Sequence, residues 1–205
     1  AAYRALGFSA KGKVGVKIHS GEPGGHNFLQ PDFIKPVVDY LHGTLVECNT
    51  AYEGRRNTTE KHLKAIEEHG FTKIAPVDIM DSEGELVLEI PDGLQIKKNF
   101  VGSHLKNYDS LVVLSHFKGH QMGGFGGALK NISIGIASSH GKAYIHGAGD
   151  PSRLWDCEQN KFLESMADAC KSIVEYRKGA IAYVNVMKNL SIDCDCNNHP
   201  AAPEM

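Results

Sequence analysis

The 205-residue chain has no apolar run approaching the length of a membrane span, so no membrane partner is expected. Its N-terminus lacks the charged-then-apolar pattern of a secretory signal. It also lacks an excess of either charge. With 22 basic and 24 acidic side chains the net charge is −2, which argues against a nucleic-acid surface held by bulk charge. Cysteine is scarce and odd in number, and of the 5 present two sit together as Cys194-Asp195-Cys196. A disulfide framework is therefore not expected, and a reducing, cytoplasmic compartment is. No GK[ST] follows spaced glycines and no GxGxxG follows the first predicted strand, which disfavours conventional nucleotide-binding folds.

The rest of the composition, 41% hydrophobic and 22% charged, is that of an ordinary globular protein. Short β-branched runs alternate with helical patterns. Strands are predicted over 13–19, 44–48, 73–79, 110–115 and 180–187. Helices are predicted from Phe33 to Leu41 with Gly43 as the stop, from Asn57 to His69 with an Asn57/Glu60 capping box, over 128–136, and from about Glu158 to Tyr176. Pro91-Asp92-Gly93, between runs 85–90 and 94–98, reads as the turn of an antiparallel hairpin. The expected architecture is one α/β domain over 1–205, a mainly parallel (mixed) sheet flanked by helices with one antiparallel hairpin. The ending at Pro203-Glu204-Met205 follows the last strand without a covering helix, so a fragment lacking its C-terminal part is expected.

Glycine and histidine, 22 and 11 in number, are concentrated in one place. Nine glycines fall between Gly119 and Gly149, among His116, His120, His140 and His146. The segment HFKGHQMGGFGGALK follows the most apolar strand, where ligands collect in open α/β sheets. Gly123, Gly124, Gly126 and Gly127 would let backbone N–H groups approach an anion. Lys118 and Lys130 would neutralise a phosphate or carboxylate, and a desolvated Lys130 would be a nucleophile. Clustered imidazoles suit proton transfer or metal ligation. The bland alternative is a tightly turning loop with solvated lysines and hydrogen-bonded histidines. Arg55 and Arg56, after the second strand, could grip a carboxylate or phosphate bidentately, although solvated loop charge is the commoner explanation. Cys194, Cys196 and His199 offer two thiolates and an imidazole to zinc or iron, a set that needs partners elsewhere. An exposed, unpaired dithiol is the equal alternative.

The segments VKIHSGEPGGHNF, VECNTAYEGRRNTTEKHL, LSHFKGHQMGGFGGALKNISIGIASSHGKAYIHG and DCDC together resemble the domain of unknown function 362 family over nearly the whole chain. Some of its members carry a ferredoxin-like module with 4Fe–4S clusters, which implies a ferredoxin-like redox partner for that reading. No CxxCxxC run stands here.

A more distant likeness is to the nickel-pincer lactate racemase family. His120 precedes Lys130 by ten positions with Gly124 and Gly127 between, and His146 follows Lys130 by sixteen. That pattern implies His120 as acid/base, Lys130 as cofactor tether and His146 as metal ligand. The racemase pattern has a second acid/base histidine where this chain has Tyr52-Glu53-Gly54-Arg55-Arg56, and an arginine where HSGEPGGHNF has none. The resemblance thus implies a related pocket with different chemistry.

Three readings follow. The first is a cofactor- or metal-dependent protein acting on a small anionic metabolite or phosphate-bearing cofactor at the Gly/His loop, with nickel, iron or zinc as candidate metals. The second is an electron-transfer protein holding a 4Fe–4S cluster or another metal through Cys194 and Cys196. The third is a non-catalytic small-molecule binding module.

Overall fold

The computed structural model describes residues 2–194; Cys196 and His199 lie outside the described residues. In chain order the elements are α1 (Ala2–Ala5), β1 (Val14–Lys17), α2 (Pro31–Leu41), β2 (Thr44–Glu47), α3 (Thr59–Glu68) and β3 (Val77–Ile79). There follow β4 (Glu85–Glu89), β5 (Lys98–Gly102), β6 (Ser110–His116), β7 (Lys118–His120) and β8 (Gly124–Gly126). Helices α4 (Ala128–Ser133), α5 (Ser139–His146) and α6 (Gln159–Arg177) and strand β9 (Ile181–Val186) complete the described chain. None of the described helices is long and apolar enough to cross a membrane.

Strands β3-β2-β1-β6-β9, in that order, form a five-stranded sheet whose pairs are all parallel. Side chains alternate between its faces. On one face Val112 and Leu114 of β6 join Val16, Ile34, Val38 and Ile66, a core supplied by α2 and α3. On the other, Leu111 and Val113 join Val46, Ile132, Ile173 and Ile181, where α4 and α6 cover the sheet. Cover on both faces explains why every residue of β6 is buried and why its sequence is almost purely apolar.

The architecture is the expected α/β fold, and the differences are local. Among the described residues there are two antiparallel strand pairs, not one: β4 with β5, and β7 with β8 inside the Gly-rich segment. The second strand of the expected hairpin lies later than predicted, because Leu94, Gln95 and Ile96 direct their N–H groups to the Asp168 carboxylate of α6 at 2.9, 2.7 and 3.0 Å. The N-cap of α3 is Thr58, which accepts from Lys61 N, so the Asn57/Glu60 box is not the cap. The stop of α2 is His42, left-handed at φ 48°. Gly43 serves packing instead, since a Cβ there would lie 2.5 Å from Val16 Cγ2.

Asp168 is buried and binds three backbone donors of the 91–97 loop, one of them the buried N–H of Ile96. Asp168→Ala should therefore destabilise the fold by about 3 kcal/mol. Urea unfolding would measure this, and a loss below about 1 kcal/mol would show that the 91–97 loop is held otherwise.

Candidate functional site

Chain order reverses direction across the sheet between β1 and β6: β2 and β3 lie to one side, β9 to the other. Such a switch point opens a crevice beyond the carboxyl ends of the strands. A cleft of about 770 Å³ occupies that place, lined among others by Lys17 and His19 at the end of β1 and just beyond, Glu47 and Cys48 likewise at β2, and Ser115 and His116 at the end of β6.

Its floor is built on a buried ion pair. Lys17, 1% exposed, donates from Nζ to Glu47 Oε2 at 2.7 Å, to Asn131 Oδ1 at 2.9 Å and to the Ile18 carbonyl. The other Glu47 oxygen accepts from Ser20 N at 2.8 Å. Burial alone would raise the Glu47 pKa, but Lys17, backed by His19, His62 and Arg56, holds it far below the carboxylate range. Asn131 also donates to Ser115 Oγ at 3.0 Å, so the pair fixes α4, and with it Lys130, against the ends of β1 and β6. Gly135 closes this contact, because a Cβ there would lie 2.2 Å from Asn131 O and 2.8 Å from Lys17 Nζ.

A second cluster forms one wall. Arg56, buried, donates to Glu22 Oε1, to which Tyr52 also donates at 2.6 Å. Burial opposes ionisation of Glu22, but Arg56 lowers its pKa. Arg56 is thus engaged within the protein. Arg55 lies at the rim, with Glu68 oxygens 2.7 Å away. The mouth is aromatic: Trp155, 69% exposed, lies 6.2 Å from Tyr52, centroid to centroid.

The β7–β8 turn and helices α4 and α5 bring the sequence candidates together. Lys118, His120, Gly126, Gly127, Lys130, His146 and Cys194 all line the cleft. Gly123 and Gly124 shape the turn instead: Gly124 is left-handed at φ 72°, and Gly123 N donates to His120 Nδ1 at 2.9 Å. The first-turn N–H of Ala128 is taken by Asn185 Oδ1 at 2.9 Å. His140 is elsewhere, against Glu85 and Phe100.

The two histidines are held in opposite tautomers. His120 Nδ1 accepts from Met122 N at 3.2 Å as well as from Gly123 N, so its Nε2 carries the proton of the neutral ring. His146 Nδ1 lies 2.7 Å from the Lys142 carbonyl, so it must donate, and Nε2 keeps its lone pair. Burial pushes the His146 pKa down to about 4, the charges of Lys130, His120 and Lys142 adding to the effect. A neutral imidazole donating Nδ1–H to a carbonyl is the arrangement of a metal-ligating histidine. Among the described residues no three His, Cys, Asp or Glu side chains converge as a metal site. A metal here would therefore take further donors from a bound molecule or from the chain beyond Cys194.

The cysteines separate. Cys194 is buried in the cleft wall. Cys48 donates to the Ile136 carbonyl at 3.3 Å, and burial pushes its thiol up to about 12. Cys170 packs in the core below α6.

Sequence reasoning missed Lys17, Glu47, Asn131 and Lys142 as site residues. The signal for the first two was a charge inside each of two apolar strands, VKI and LVEC. Lys142 is 8% exposed, and burial lowers its pKa.

Two predictions follow from these networks. Lys17→Met leaves Glu47 buried without its cation and should cost about 3–5 kcal/mol, most of it recovered in the double variant with Glu47→Met; a single-variant loss under about 1 kcal/mol would remove the pair as the anchor. The second concerns acid. His62, fully buried, is driven by burial to a pKa of about 3, and His146 to about 4. Unfolded histidine takes its proton near 6.5, so stability falls as pH drops below that value, by up to about 1.4 kcal/mol per pH unit for each. Unfolding followed from pH 7 to pH 4 should show a shallower slope in His62→Gln; an unchanged slope would contradict the assignment.

No curated protein sequence matches the chain. The structure is similar to the lactate racemase apoprotein from Thermoanaerobacterium thermosaccharolyticum, with a TM-score of 0.57 and 18% identity over 90% of this chain and 44% of the other. It is also similar to a crystal structure of a protein from Thermotoga maritima, with a TM-score of 0.54 and 14% identity over 85% of this chain and 46% of the other. The chain thus spans less than half the length of either, and at these identities the likeness shows the fold. The family model described as a domain of unknown function, DUF362, matches residues 14–205, and the chain belongs to that family.

Proposed function

We propose that the cleft holds a metal–organic cofactor and acts on a small anionic metabolite. The observation that carries this reading is the pair of opposed tautomers in one cleft: a hydrogen-bond donor at His120 Nε2, a lone pair at His146 Nε2, and the Lys130 amine lining the same space. In it Lys130 tethers the cofactor and His146 is the protein's ligand to the metal, with nickel, iron and zinc all suited to imidazole. Such a group, when bound, supplies a Lewis-acidic centre. His120 donates a hydrogen bond to the ligand from Nε2. Lys118, with Gly126 and Gly127, lines the path of an anionic group. The structural likeness to a lactate racemase supports the class of reaction site, but not its substrate.

The donor set fits a cofactor that brings its own donors, since one imidazole alone does not hold a metal. The electron-transfer alternative has two described thiols in the cleft, Cys194 and Cys48, the second hydrogen-bonded to the Ile136 carbonyl.

Intact-mass and elemental measurements on natively purified full-length protein test the proposal. A covalent adduct and about one metal per chain are expected. Lys130→Ala should lose the adduct, and His146→Ala should lower metal affinity by about tenfold or more, while His120→Ala keeps both. A protein with neither adduct nor metal would overturn the reading. Iron with acid-labile sulfide would transfer support to the electron-transfer alternative.

A further inference from the structure

Lys17 and Lys142 are both buried on the cleft floor, and their ammonium groups differ in one respect. An ammonium has three donors. Those of Lys17 are all used, on Ile18 O, Glu47 Oε2 and Asn131 Oδ1. Lys142 uses one, on the Ala137 carbonyl, and makes no ion pair among the described residues although it is 8% exposed.

Among the described residues no carboxylate is hydrogen-bonded to it. Asp81 acts on it only through its field, its oxygens accepting from Asn49 N at 2.9 Å and Ser139 N at 3.0 Å. Glu47 is committed to Lys17 and Ser20. Cys48, packed beside it, is a neutral thiol bonded to Ile136 O. A methionine in this place would avoid the desolvation of a charge altogether, whereas a buried ammonium with spare donors is destabilising until a counter-charge arrives. The cleft reaches Lys142 from an open mouth at Trp155, so the counter-charge can come from solution.

We propose that Lys142 anchors an anion subsite on the cleft floor, which seats the carboxylate or phosphate group of a small-molecule ligand. The proposal rests on the reading of the cleft as the site of a small anion. It adds the direction of entry: the anionic group goes in first, past Trp155 and Tyr52, and the remainder of the ligand lies toward His120 and Lys130.

Thermal unfolding of the full chain in chloride, phosphate and acetate at matched ionic strength tests it. The wild-type midpoint should rise by about 3–5 °C in phosphate, in acetate or in both, relative to chloride. A response to phosphate alone assigns a phosphate group, and one to acetate alone a carboxylate. Lys142→Met should unfold at or above the wild-type temperature in chloride and lose the anion-dependent rise. General salting effects are common to both proteins and cancel in the difference. Lys130→Ala should keep the rise while losing the cofactor adduct, which separates failure of the subsite from failure of the tether. The proposal is overturned if the wild type responds to neither anion, or if Lys142→Met keeps the response. It is equally overturned if Lys142→Met and Lys142→Gln both unfold several degrees below wild type or fail to fold, since Lys142 would then be structural.

Discussion

An ammonium and a carboxylate taken out of water at the ends of neighbouring strands are tolerable only while each keeps every partner it has. Lys17 and Glu47 meet that condition through three elements at once: β1 and β2 carry the charges, the backbone beyond β1 supplies Ile18 O and Ser20 N, and α4 supplies Asn131. None of these can shift without stranding a charge. Lys130 immediately precedes Asn131 in α4, so the position of the candidate tether is set by a pair that need not touch any ligand. Gly135 belongs to the same constraint, because the helix can approach Lys17 this closely only where no Cβ intervenes.

The chain's net charge of −2 conceals how its charges are distributed around this anchor. The cleft's internal carboxylates, Glu22 and Glu47, are matched by Arg56 and Lys17. Lys130 and Lys142 are additional cations lining the same space. A nearly neutral protein thus turns a positive interior toward a solvent-open cleft, which favours anions by field as well as by contact. The aromatic mouth at Trp155 and Tyr52 adds apolar surface without adding charge.

Much of this architecture was legible because periodicity reports burial. The purely apolar β6, the amphipathic α6 and the placement of β3 at a sheet edge beside Pro76 all follow from pattern. The convergence of His120, Lys130 and His146 was also visible, since the loop follows a central strand. Long-range polar contacts were not. The β5 strand was misplaced because Asp168, more than 70 residues away, captures the backbone that would have extended the ladder. The β7–β8 pair was hidden because glycine carries no strand preference, and the pairing is stabilised by the later segment, where Gly119 N donates to Ser191 O. Arg56 looked available for a ligand because its partner Glu22 lies in another loop. Lys142, on a helix of ordinary polarity, gave no signal that its end is buried.

The opposed histidine tautomers bear on what the cleft can do with a proton. His120 could accept one at Nδ1 only by giving up the N–H groups of Met122 and Gly123, whose bonds to that nitrogen hold the turn. Its natural act is donation from Nε2. Across the cleft, where the racemase pattern has a second histidine, Tyr52 already donates to Glu22 and lies 3.3 Å from the Arg56 guanidinium. A guanidinium beside the phenol and a carboxylate ahead of it fix that hydroxyl in place. Proton transfer from two faces of a substrate needs two groups that can each gain and lose a proton. This cleft supplies one imidazole N–H that can donate a hydrogen bond and, opposite it, a locked triad. On the proposed reading, chemistry that polarises a ligand from one side matches the chain better than racemisation does.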